Sequence, residues 1–370
     1  MVSVVNVLFV LGGLRVGGYE LATIRLANAL VKGGVETAVV TLTDDLATRE
    51  YLSDEVKLFI VKKWAGADPS LPFRLARVVH RVRPDVIVSC DFYEYSYAQL
   101  ATVLSAVPAT NVLAFHVTVP ETARDLAYSR FFGRLDRFFK RKRYVAIHSG
   151  QADFYARTYG IPRDLVTLIP NGVEVGALVS RRRDSEAFTI INVANLKPLK
   201  DHETLLHGVA LFSERYTRPW RVLLVGADHT GRLAALSALA DQLGIGNHVQ
   251  FLGHVADVRA LLAGADVFVL SSRTEALPVS ALEAGAEGLP CVLTDVGGNA
   301  DIVEDTVNGF LFSVGDAGQL AQRLLTLAND DALRVAMGRQ CREKVAREFS
   351  FDVMVERYLE LFERLAGAIA

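Results

Sequence analysis

The chain has 370 residues, of which 51% are hydrophobic, enough to build about two domains with sizeable cores. Its 40 Lys and Arg residues nearly balance 42 Asp and Glu residues, and a net charge of −2 argues against a protein dedicated to nucleic-acid binding. The three cysteines, Cys90, Cys291 and Cys341, lack the spacing of a metal or redox motif, which predicts reduced thiols in a cytoplasmic protein.

Short apolar runs rich in Val, Ile and Leu alternate with amphipathic stretches along the chain. The first half contains NVLFVL, ETAVVTL, VKLFIV, DVIVSC, TNVLAFH and RYVAIH, and the second half contains FTIINVA, RVLLVG, HVQFLG, VFVLSS, PCVLTD and GFLFSV. This alternation is typical of parallel sheets covered by helices. We therefore predict an α/β fold of two doubly wound, Rossmann-like domains that face each other across a cleft.

The turn residues Pro170, Asn171 and Gly172 separate the two halves. They predict an N-terminal domain over residues 1–172 and a C-terminal domain over residues 173–350. Helical spacing of apolar residues continues to the end of the chain, so residues 351–370 are expected to form a helix that packs back toward the first domain.

The glycine-rich stretch GGLRVGGYE follows the first predicted strand. A P-loop would need Lys and Ser or Thr where Gly18 and Tyr19 stand, and the dinucleotide fingerprint GxGxxG is absent. Two interpretations stay open on these residues alone. The glycines serve a tight turn through their backbone freedom, or they let a helix N-terminus approach a phosphate or sugar.

The strongest pattern in the chain is SSRTEALPVSALEAG. Glu275 follows the predicted strand VFVLSS, Pro278 stands where a helix would begin, and Glu283 lies inside that helix, with seven residues between the two glutamates. A proline at the first helical position leaves the following amides, those of Val279 and Ser280, able to bind an anion. Carboxylates on either side can accept hydrogen bonds from hydroxyl groups. The segment therefore predicts a site for a nucleotide sugar.

At these residues the chain resembles the retaining GT-B glycosyltransferases of glycosyltransferase family 4, whose hallmark is two glutamates separated by seven residues. GGYE resembles the family's GGxE, IPNGVEV resembles its PNGV turn, and GLPCVLTDVGGNADIV resembles its GxPVVATDxGGxxEIV block. The resemblance covers essentially the whole chain. It implies a hexosyl-type glycosyltransferase with its donor in the C-terminal domain and its acceptor in the N-terminal domain.

The resemblance also implies roles for individual residues. Glu275 would contact the transferred sugar, and Glu283 would hold the ribose. Gly17 and Gly18 would lie against the diphosphate of the donor, too close for any side chain. His116, which ends the predicted strand TNVLAFH, would reach the sugar or the acceptor from the N-terminal domain.

The family's phosphate-binding arginine and lysine correspond to positions in ANLKPLKD. Lys200 fits the lysine, but Asn195 stands in the arginine position, so one positive charge has gone or has moved to Lys197. FLGHV resembles the family loop whose backbone contacts the base, here near Val255. Ala276 and Leu277 replace a frequent Gly-Phe, a departure that bears on which sugar is held.

The sequence offers no support for a cofactor. It contains no DxD triplet and no His, Asp or Cys cluster with metal-ligand spacing, so we expect no divalent metal. The resemblance implies transfer with retention, in which a diphosphate oxygen takes the proton of the acceptor hydroxyl.

The sequence indicates the classes of donor and acceptor but not the individual substrates. We expect a UDP- or GDP-sugar donor and a sugar, lipid-linked or small-molecule acceptor, in bacterial glycan, glycolipid or secondary-metabolite glycoside synthesis. A nucleotide-sugar epimerase of the same fold and a non-catalytic nucleotide-sugar-binding protein are the alternatives.

Residues 129–145, SRFFGRLDRFFKRKRYV, place aromatic residues on one helical face and basic residues on another. They form either an ordinary domain helix with its aromatic face in the core or a helix that lies on an anionic membrane. No apolar run reaches the about 18 residues that span a bilayer, and no leader with a cleavage site is visible. We therefore expect a cytoplasmic protein, peripheral to the inner face of the membrane in the second case.

Overall fold

The computed structural model of the chain describes residues 5–15, 18–64, 68–114, 136–177 and 187–368, with the backbone only at residues 18 and 19. The chain divides into two compact units. One is Met1–Pro170 together with Met354–Ala370, and the other is Asn171–Val353. Each unit is built around one parallel sheet.

Seven strands form the first sheet within the described part of the first unit. They are β1 (Asn6–Leu11), β2 (Glu36–Thr41), β3 (Lys57–Ile60), β4 (Val86–Ser89), β5 (Thr110–Ala114), β6 (Lys142–Ala146) and β7 (Val166–Leu168). They pair in the order β3-β2-β1-β4-β5-β6-β7, in parallel throughout. The order reverses between β1 and β4, and ligands of doubly wound domains bind in the crevice at such a switch point.

Strand β1 shows why the apolar runs become central strands. Its residues from Val7 to Leu11 are fully buried. Phe9 pairs with Val39 of β2 on one side and with Val88 of β4 on the other. Helices cover both faces of a parallel sheet, so a central strand is hydrophobic at every position instead of alternating.

Four helices of the first unit follow its strands along the chain in the described residues. They are α1 (Gly18–Lys32), α2 (Leu71–Val82), α3 (Phe92–Ser105) and α4 (Ser149–Tyr159). Leu75 and Val79 of α2 pack in one core cluster with Leu8 and Val10 of β1. Helix α3 begins at Asp91, whose side chain accepts a hydrogen bond from the backbone of the first turn.

Six strands form the sheet of the second unit. They are β8 (Phe188–Val193), β9 (Trp220–Val225), β10 (Val249–Gly253), β11 (Val267–Leu270), β12 (Cys291–Thr294) and β13 (Gly309–Phe312), counted over the described ranges. Their order is β10-β9-β8-β11-β12-β13, again parallel throughout. The switch point of this sheet therefore lies between β8 and β11.

The helices of the second unit surround this sheet. They are α5 (His202–Ser213), α6 (Leu233–Gln242), α7 (Arg259–Ala263), α8 (Val279–Ala286), α9 (Asn299–Ile302), α10 (Ala317–Asn329) and α11 (Asp331–Glu348). The last helix, α12 (Phe351–Gly367), belongs to the first unit from Met354 onward. Single 3-10 turns occur at Arg49–Tyr51, Arg163–Leu165, Pro198–Lys200 and Gly246–His248.

The predicted α/β class with two Rossmann-like sheets is confirmed. All twelve apolar runs singled out in the sequence contain a strand, although the structure does not describe the last two residues of TNVLAFH. The sequence prediction missed β7, a three-residue edge strand whose residues are only partly buried. Such a strand carries too little apolar periodicity to stand out.

Candidate active site

The loops after β8 and β11 bring a lysine and a glutamate together at the switch point of the second sheet. The Nζ atom of Lys200 lies 2.5 Å from Oε1 of Glu275, and Ser272 Oγ donates a hydrogen bond to the same oxygen at 2.6 Å. The Glu275 side chain is only 9% exposed, whereas that of Lys200 is 26% exposed. A cation and a buried carboxylate thus meet at this edge of the sheet, and their contact with a donor stays a prediction.

Backbone hydrogen bonds hold the two loops against each other. The amide of Arg273 donates to the carbonyl of Leu199 at 2.8 Å. Ser271 Oγ contacts the carbonyls of Lys200 and Asp201 at 3.1 and 2.8 Å. The position of Lys200 relative to Glu275 is therefore fixed by main-chain geometry as well as by the ion pair.

A second ion pair lies beside the first. Arg273 Nε is 3.1 Å from Oδ2 of Asp201, and Arg273 Nη2 is 3.4 Å from Oδ1. The Asp201 side chain is 1% exposed, whereas that of Arg273 is 62% exposed. Asp201 also begins α5 with a left-handed backbone, φ 48°. The buried carboxylate thus holds an arginine at the surface next to Lys200.

Helix α8 begins at the same edge. Pro278 precedes it with an extended backbone, φ −72° and ψ 111°, and the first helical amide that donates back to Pro278 is that of Ala281. The amides of Val279 and Ser280 belong to the first turn, where an α-helix supplies no acceptor. Val279 is 42% exposed, and free amides at a helix N-terminus can bind an anion. Glu283 is half-buried one turn further along α8.

A glycine packs directly against the backbone of the loop that carries Glu275. Gly297, in the loop between β12 and α9, has φ +53°, and a Cβ atom there would lie 1.8 Å from the carbonyl oxygen of Glu275. The neighbouring Gly298 amide donates to the Ala276 carbonyl at 2.7 Å. Any other residue at position 297 would displace the glutamate, so the block GLPCVLTDVGGNADIV supports the site through its backbone.

Asn195 does not supply the charge of the arginine that it replaces. Its Oδ1 accepts a hydrogen bond from the Ala227 amide at 3.0 Å, which ties the end of β8 to the end of β9. Lys197 is exposed in the loop between Asn195 and Lys200. Val255 is half-buried two residues after β10, at the same sheet edge but two strands away from β8.

His202 is the first residue of α5 and follows Lys200 by two residues. It is 1% exposed, and neither ring nitrogen has a hydrogen-bond partner among the described residues. Burial lowers the pKa of His202 to about 4, with smaller contributions from neighbouring charges that include Lys200. The imidazole is neutral at pH 7 and adds no positive charge behind Lys200.

The first unit has its own switch-point crevice, between β1 and β4. Glu94 is 1% exposed and accepts a hydrogen bond from the Cys90 amide at 3.3 Å. Burial raises the pKa of Glu94 well above its usual value, and the charge of Asp91 raises it further. Glu20 of α1 is also buried. The Glu94 carboxyl lies against the start of the glycine-rich stretch, where a Cβ atom on Gly12 would be 3.0 Å from Glu94 Oε1.

The structure describes three of the predicted site residues only in part or not at all. Gly17 and His116 lie outside the described residues, and Gly18 is described only as the backbone start of α1. Sequence reasoning also missed three residues that the structure places around Glu275, namely Ser272, Arg273 and Asp201. The first two lie in the quoted segment SSRTEALP, but only their contacts show what they do.

The described ranges contain no candidate metal site and no candidate membrane-spanning helix. Among these residues no group of three or more His, Cys, Asp or Glu side chains could hold a metal ion. No helix within the described residues is long and apolar enough to cross a membrane.

Comparison with known protein families covers both units. Residues 16–176 match the model described as Glycosyltransferase Family 4, and residues 179–344 match the model described as Glycosyl transferases group 1. Together with the two doubly wound sheets, these matches define a glycosyltransferase of the GT-B class. The chain belongs to glycosyltransferase family 4.

Three known proteins illustrate the similarity. The chain is 22% identical over 333 residues to the UDP-Gal:alpha-D-GlcNAc-diphosphoundecaprenol alpha-1,3-galactosyltransferase of Escherichia coli, covering 85% of each chain. It is 25% identical over 361 residues to the lipopolysaccharide core biosynthesis glycosyltransferase LpsE of Rhizobium meliloti, covering 93% of this chain and 95% of LpsE. The crystal structure of Anabaena HepE in complex with UDP has the same fold, with a TM-score of 0.85 at 20% identity over 97% of this chain and 100% of HepE.

Proposed function

We propose that the protein is a retaining, metal-independent glycosyltransferase that moves a sugar from a UDP- or GDP-sugar to an acceptor hydroxyl. The observation that carries the proposal is the pairing of Lys200 with Glu275 beside the N-terminus of α8. A nucleotide sugar carries an anionic diphosphate next to a ring of hydroxyl groups. It needs a cation and free amides at one point and a carboxylate a few ångströms away, and this crevice offers both.

Different residues of the site bind different parts of the donor. Lys200 and the amides of Val279 and Ser280 bind the diphosphate, because both are positively polarised and open to the crevice. When Lys200 turns to the phosphate, Glu275 loses its ion-pair partner and accepts hydrogen bonds from the sugar hydroxyls. Glu283 holds the ribose one helical turn away.

Arg273 supplies the second positive charge that Asn195 lacks. It extends from the loop after β11, opposite Lys200 on the loop after β8, so the two cations flank the switch point. Asp201 engages the Nε and Nη2 side of the guanidinium and leaves the other donors available. Without a metal, the leaving diphosphate is neutralised by such cations and by the helix amides.

Glu275 serves as an anchor and not as a nucleophile in this proposal. Its buried oxygen Oε1 already accepts hydrogen bonds from Lys200 and Ser272, which hold the side chain in one orientation. An acceptor hydroxyl attacks the anomeric carbon on the face from which the diphosphate departs. The new glycosidic bond forms as the old C–O bond breaks, and a phosphate oxygen takes the hydroxyl proton.

The relatives favour particular substrates. The E. coli enzyme uses UDP-Gal and a diphosphoundecaprenol acceptor, and HepE binds UDP. We therefore place a UDP-sugar first among donors, with a lipid-linked sugar as the acceptor, at the cytoplasmic face of the membrane. This acceptor belongs to bacterial glycan or glycolipid synthesis.

A thermal-shift screen against UDP, GDP, ADP and TDP and their sugars, with EDTA present, tests the donor site. Selective stabilisation by one nucleotide supports the proposal, because a ligand that binds only the folded state raises the unfolding temperature. Lys200→Gln should abolish this shift. Stabilisation that requires Mg²⁺, or conversion of the nucleotide sugar to its epimer without acceptor, would contradict the proposal.

A further inference from the structure

Trp64 lies in the loop after β3 with most of its side chain in solvent. It is 65% exposed, whereas Trp220, the other tryptophan of the chain, is 8% exposed. Among the described residues its one cation–π or aromatic contact is with Arg74 of α2, whose guanidinium lies 5.0 Å from the ring centroid. The guanidinium covers one face of the indole. The opposite face is therefore a flat apolar surface that is open to solvent.

A buried carboxylate, that of Asp68, fixes both the backbone of Trp64 and the arginine. Asp68 is 2% exposed, and its Oδ2 accepts a hydrogen bond from the Trp64 amide at 3.0 Å. The same oxygen pairs with Arg74, which also donates to the Lys62 carbonyl at 2.5 Å. The hydroxyl and amide of Ser70 donate to Oδ1, and these hydrogen bonds, that of the hydroxyl foremost, lower the pKa of Asp68 to about 2. The exposed ring is therefore held in one position at neutral pH.

The strand register gives the position of this ring on the first sheet. Ile60, the last residue of β3, pairs with Thr41 of β2, which in turn pairs with Leu11 at the end of β1. Neighbouring strands lie about 4.8 Å apart, so the ends of β3 and β1 are about 10 Å apart. Trp64 follows Ile60 by four residues, and the glycine-rich stretch begins directly after Leu11. Both therefore lie at the carboxyl edge of the sheet, where ligands of doubly wound domains bind.

Charged side chains are available in the same loop and in the neighbouring one. Lys62 pairs with Asp44, which follows β2, and the two side chains are 63% and 61% exposed. Lys63 lies with Nζ 4.5 Å from the ring centroid of Tyr93, and no carboxylate of the described residues pairs with it. A pyranose presents C–H groups on its faces and hydroxyl groups around its rim. A fixed aromatic face near exposed hydrogen-bond donors and acceptors matches that chemistry.

We propose that Trp64 forms a stacking subsite for a sugar ring of an acceptor with at least two sugar units. The inference rests on the proposed function for the presence of an acceptor in the first unit. One pyranose places its C–H face on the open face of the indole, and Asp44 and Lys62 bind hydroxyl groups of its rim. The glycine-rich stretch is about 10 Å away, so the stacked ring is not the ring that receives the transferred sugar. Arg74 and Asp68 are positioning residues, which reduce the entropy lost on binding.

A glycan array and tryptophan fluorescence of the full chain test the proposal. The array carries mono-, di- and trisaccharides of bacterial glycans, and the chain should bind the longer glycans and not the monosaccharides. Trp64→Ala should weaken glycan binding by roughly tenfold, and Trp64→Phe by less, because a smaller aromatic face remains. In Trp220→Phe the emission comes from Trp64 alone. A bound trisaccharide should shift that emission to shorter wavelength, because the sugar ring displaces water from the indole.

Further variants test how the ring is held. Arg74→Gln should weaken glycan binding by about threefold and lower the fluorescence anisotropy of Trp64, because the ring loses its cation–π partner. Arg74→Lys should restore part of both. Tyr51→Ala removes another exposed aromatic residue of the first unit, 58% exposed, and should leave glycan binding unchanged. Thermal unfolding checks that each variant is folded.

Four results would overturn the proposal. They are no binding of any glycan by the unaltered chain, equal binding of mono- and trisaccharides, unchanged binding in Trp64→Ala, and a bound glycan that leaves the Trp64 emission unchanged. Stabilisation by UDP reports on the proposed function separately, because the donor site belongs to the second unit, and Trp64→Ala should keep it. Glycan binding without any stabilisation by a nucleotide would contradict the proposed function and leave a glycan-binding site at Trp64.

Discussion

Lys200 and Glu275 form an ion pair, with Nζ and Oε1 2.5 Å apart in a mostly buried position. In the proposed function each of them has a different target in a nucleotide sugar, the diphosphate for Lys200 and the sugar hydroxyls for Glu275. We therefore expect the diphosphate and Glu275 to compete for the same ammonium group. Removal of the Glu275 carboxylate should therefore strengthen nucleotide binding and slow sugar transfer.

Glu275→Gln should bind free UDP more tightly and transfer sugar far more slowly. The neutral amide no longer holds Lys200, so UDP affinity should rise by roughly threefold to tenfold, while transfer falls by about 100-fold because a charged hydrogen bond to the sugar is lost. Titration calorimetry with UDP and a transfer assay measure the two effects. Glu287→Gln removes the buried carboxylate that pairs with Arg259 and should change neither. A weaker affinity for UDP in Glu275→Gln would refute the competition.

Arg273→Gln should weaken UDP binding by about 10- to 100-fold and UMP binding by much less, because a charged hydrogen bond to the second phosphate is lost. Calorimetry with both nucleotides gives the ratio. Arg273→Lys should restore part of the difference, and Lys197→Gln should have little effect. If Arg273 serves only to neutralise the buried Asp201, the variant will lose thermal stability while the ratio of UDP to UMP affinity stays unchanged.

Gly297→Ala should abolish transfer. The added Cβ would sit 1.8 Å from the Glu275 carbonyl, so the loop that carries the glutamate must move. Gly315→Ala is the matched control, since Gly315 also has a positive φ, +79°, but no atom lies within 4 Å of an added Cβ. Both variants carry the backbone cost of about 1 kcal/mol for a left-handed alanine. Equal losses of kcat/KM in the two would show that strain alone matters.

His202 should make the protein less stable as the pH falls. Its pKa is lowered by burial from 6.5 to about 4, so the unfolded chain binds a proton more readily than the folded chain between these values. The stabilisation is complete above pH 6.5 and is lost as the pH falls toward 4, by about 3 kcal/mol at most.

Denaturant unfolding at several pH values measures the effect. His202→Asn should flatten the slope between pH 6.5 and 4, whatever its effect on absolute stability. His207→Asn alters an exposed histidine of the same helix and should leave the slope as it is. A slope unchanged by His202→Asn would assign the pH dependence to other groups.

Local patterns in the sequence predicted much of this architecture. The apolar runs predicted twelve strands because a buried parallel strand is hydrophobic at every position, and each run contains one. The segment SSRTEALPVSALEAG predicted the start of α8 near Pro278, because a proline in the first turn gives up an amide that lacks an acceptor. These features depend on neighbours in the chain, so the chain alone reveals them.

The partners of the site residues depended on the tertiary structure. Lys200 and Glu275 are 75 residues apart in sequence, and they meet only because β8 and β11 are neighbours in the sheet. Gly297 supports Glu275 for the same reason, through β12. No local pattern in the sequence encodes which strands pair across a crossover.

The amino-acid sequence by itself determined the strand pattern, the helix start and the family of this protein, since each resides in a short run of residues. Only the tertiary structure decided that Lys200 is held by Glu275 and that Arg273 rests on the buried Asp201. Burial and ion pairing are properties of residues that are distant in the chain. They arise only when the sheet order brings those residues together or leaves them exposed.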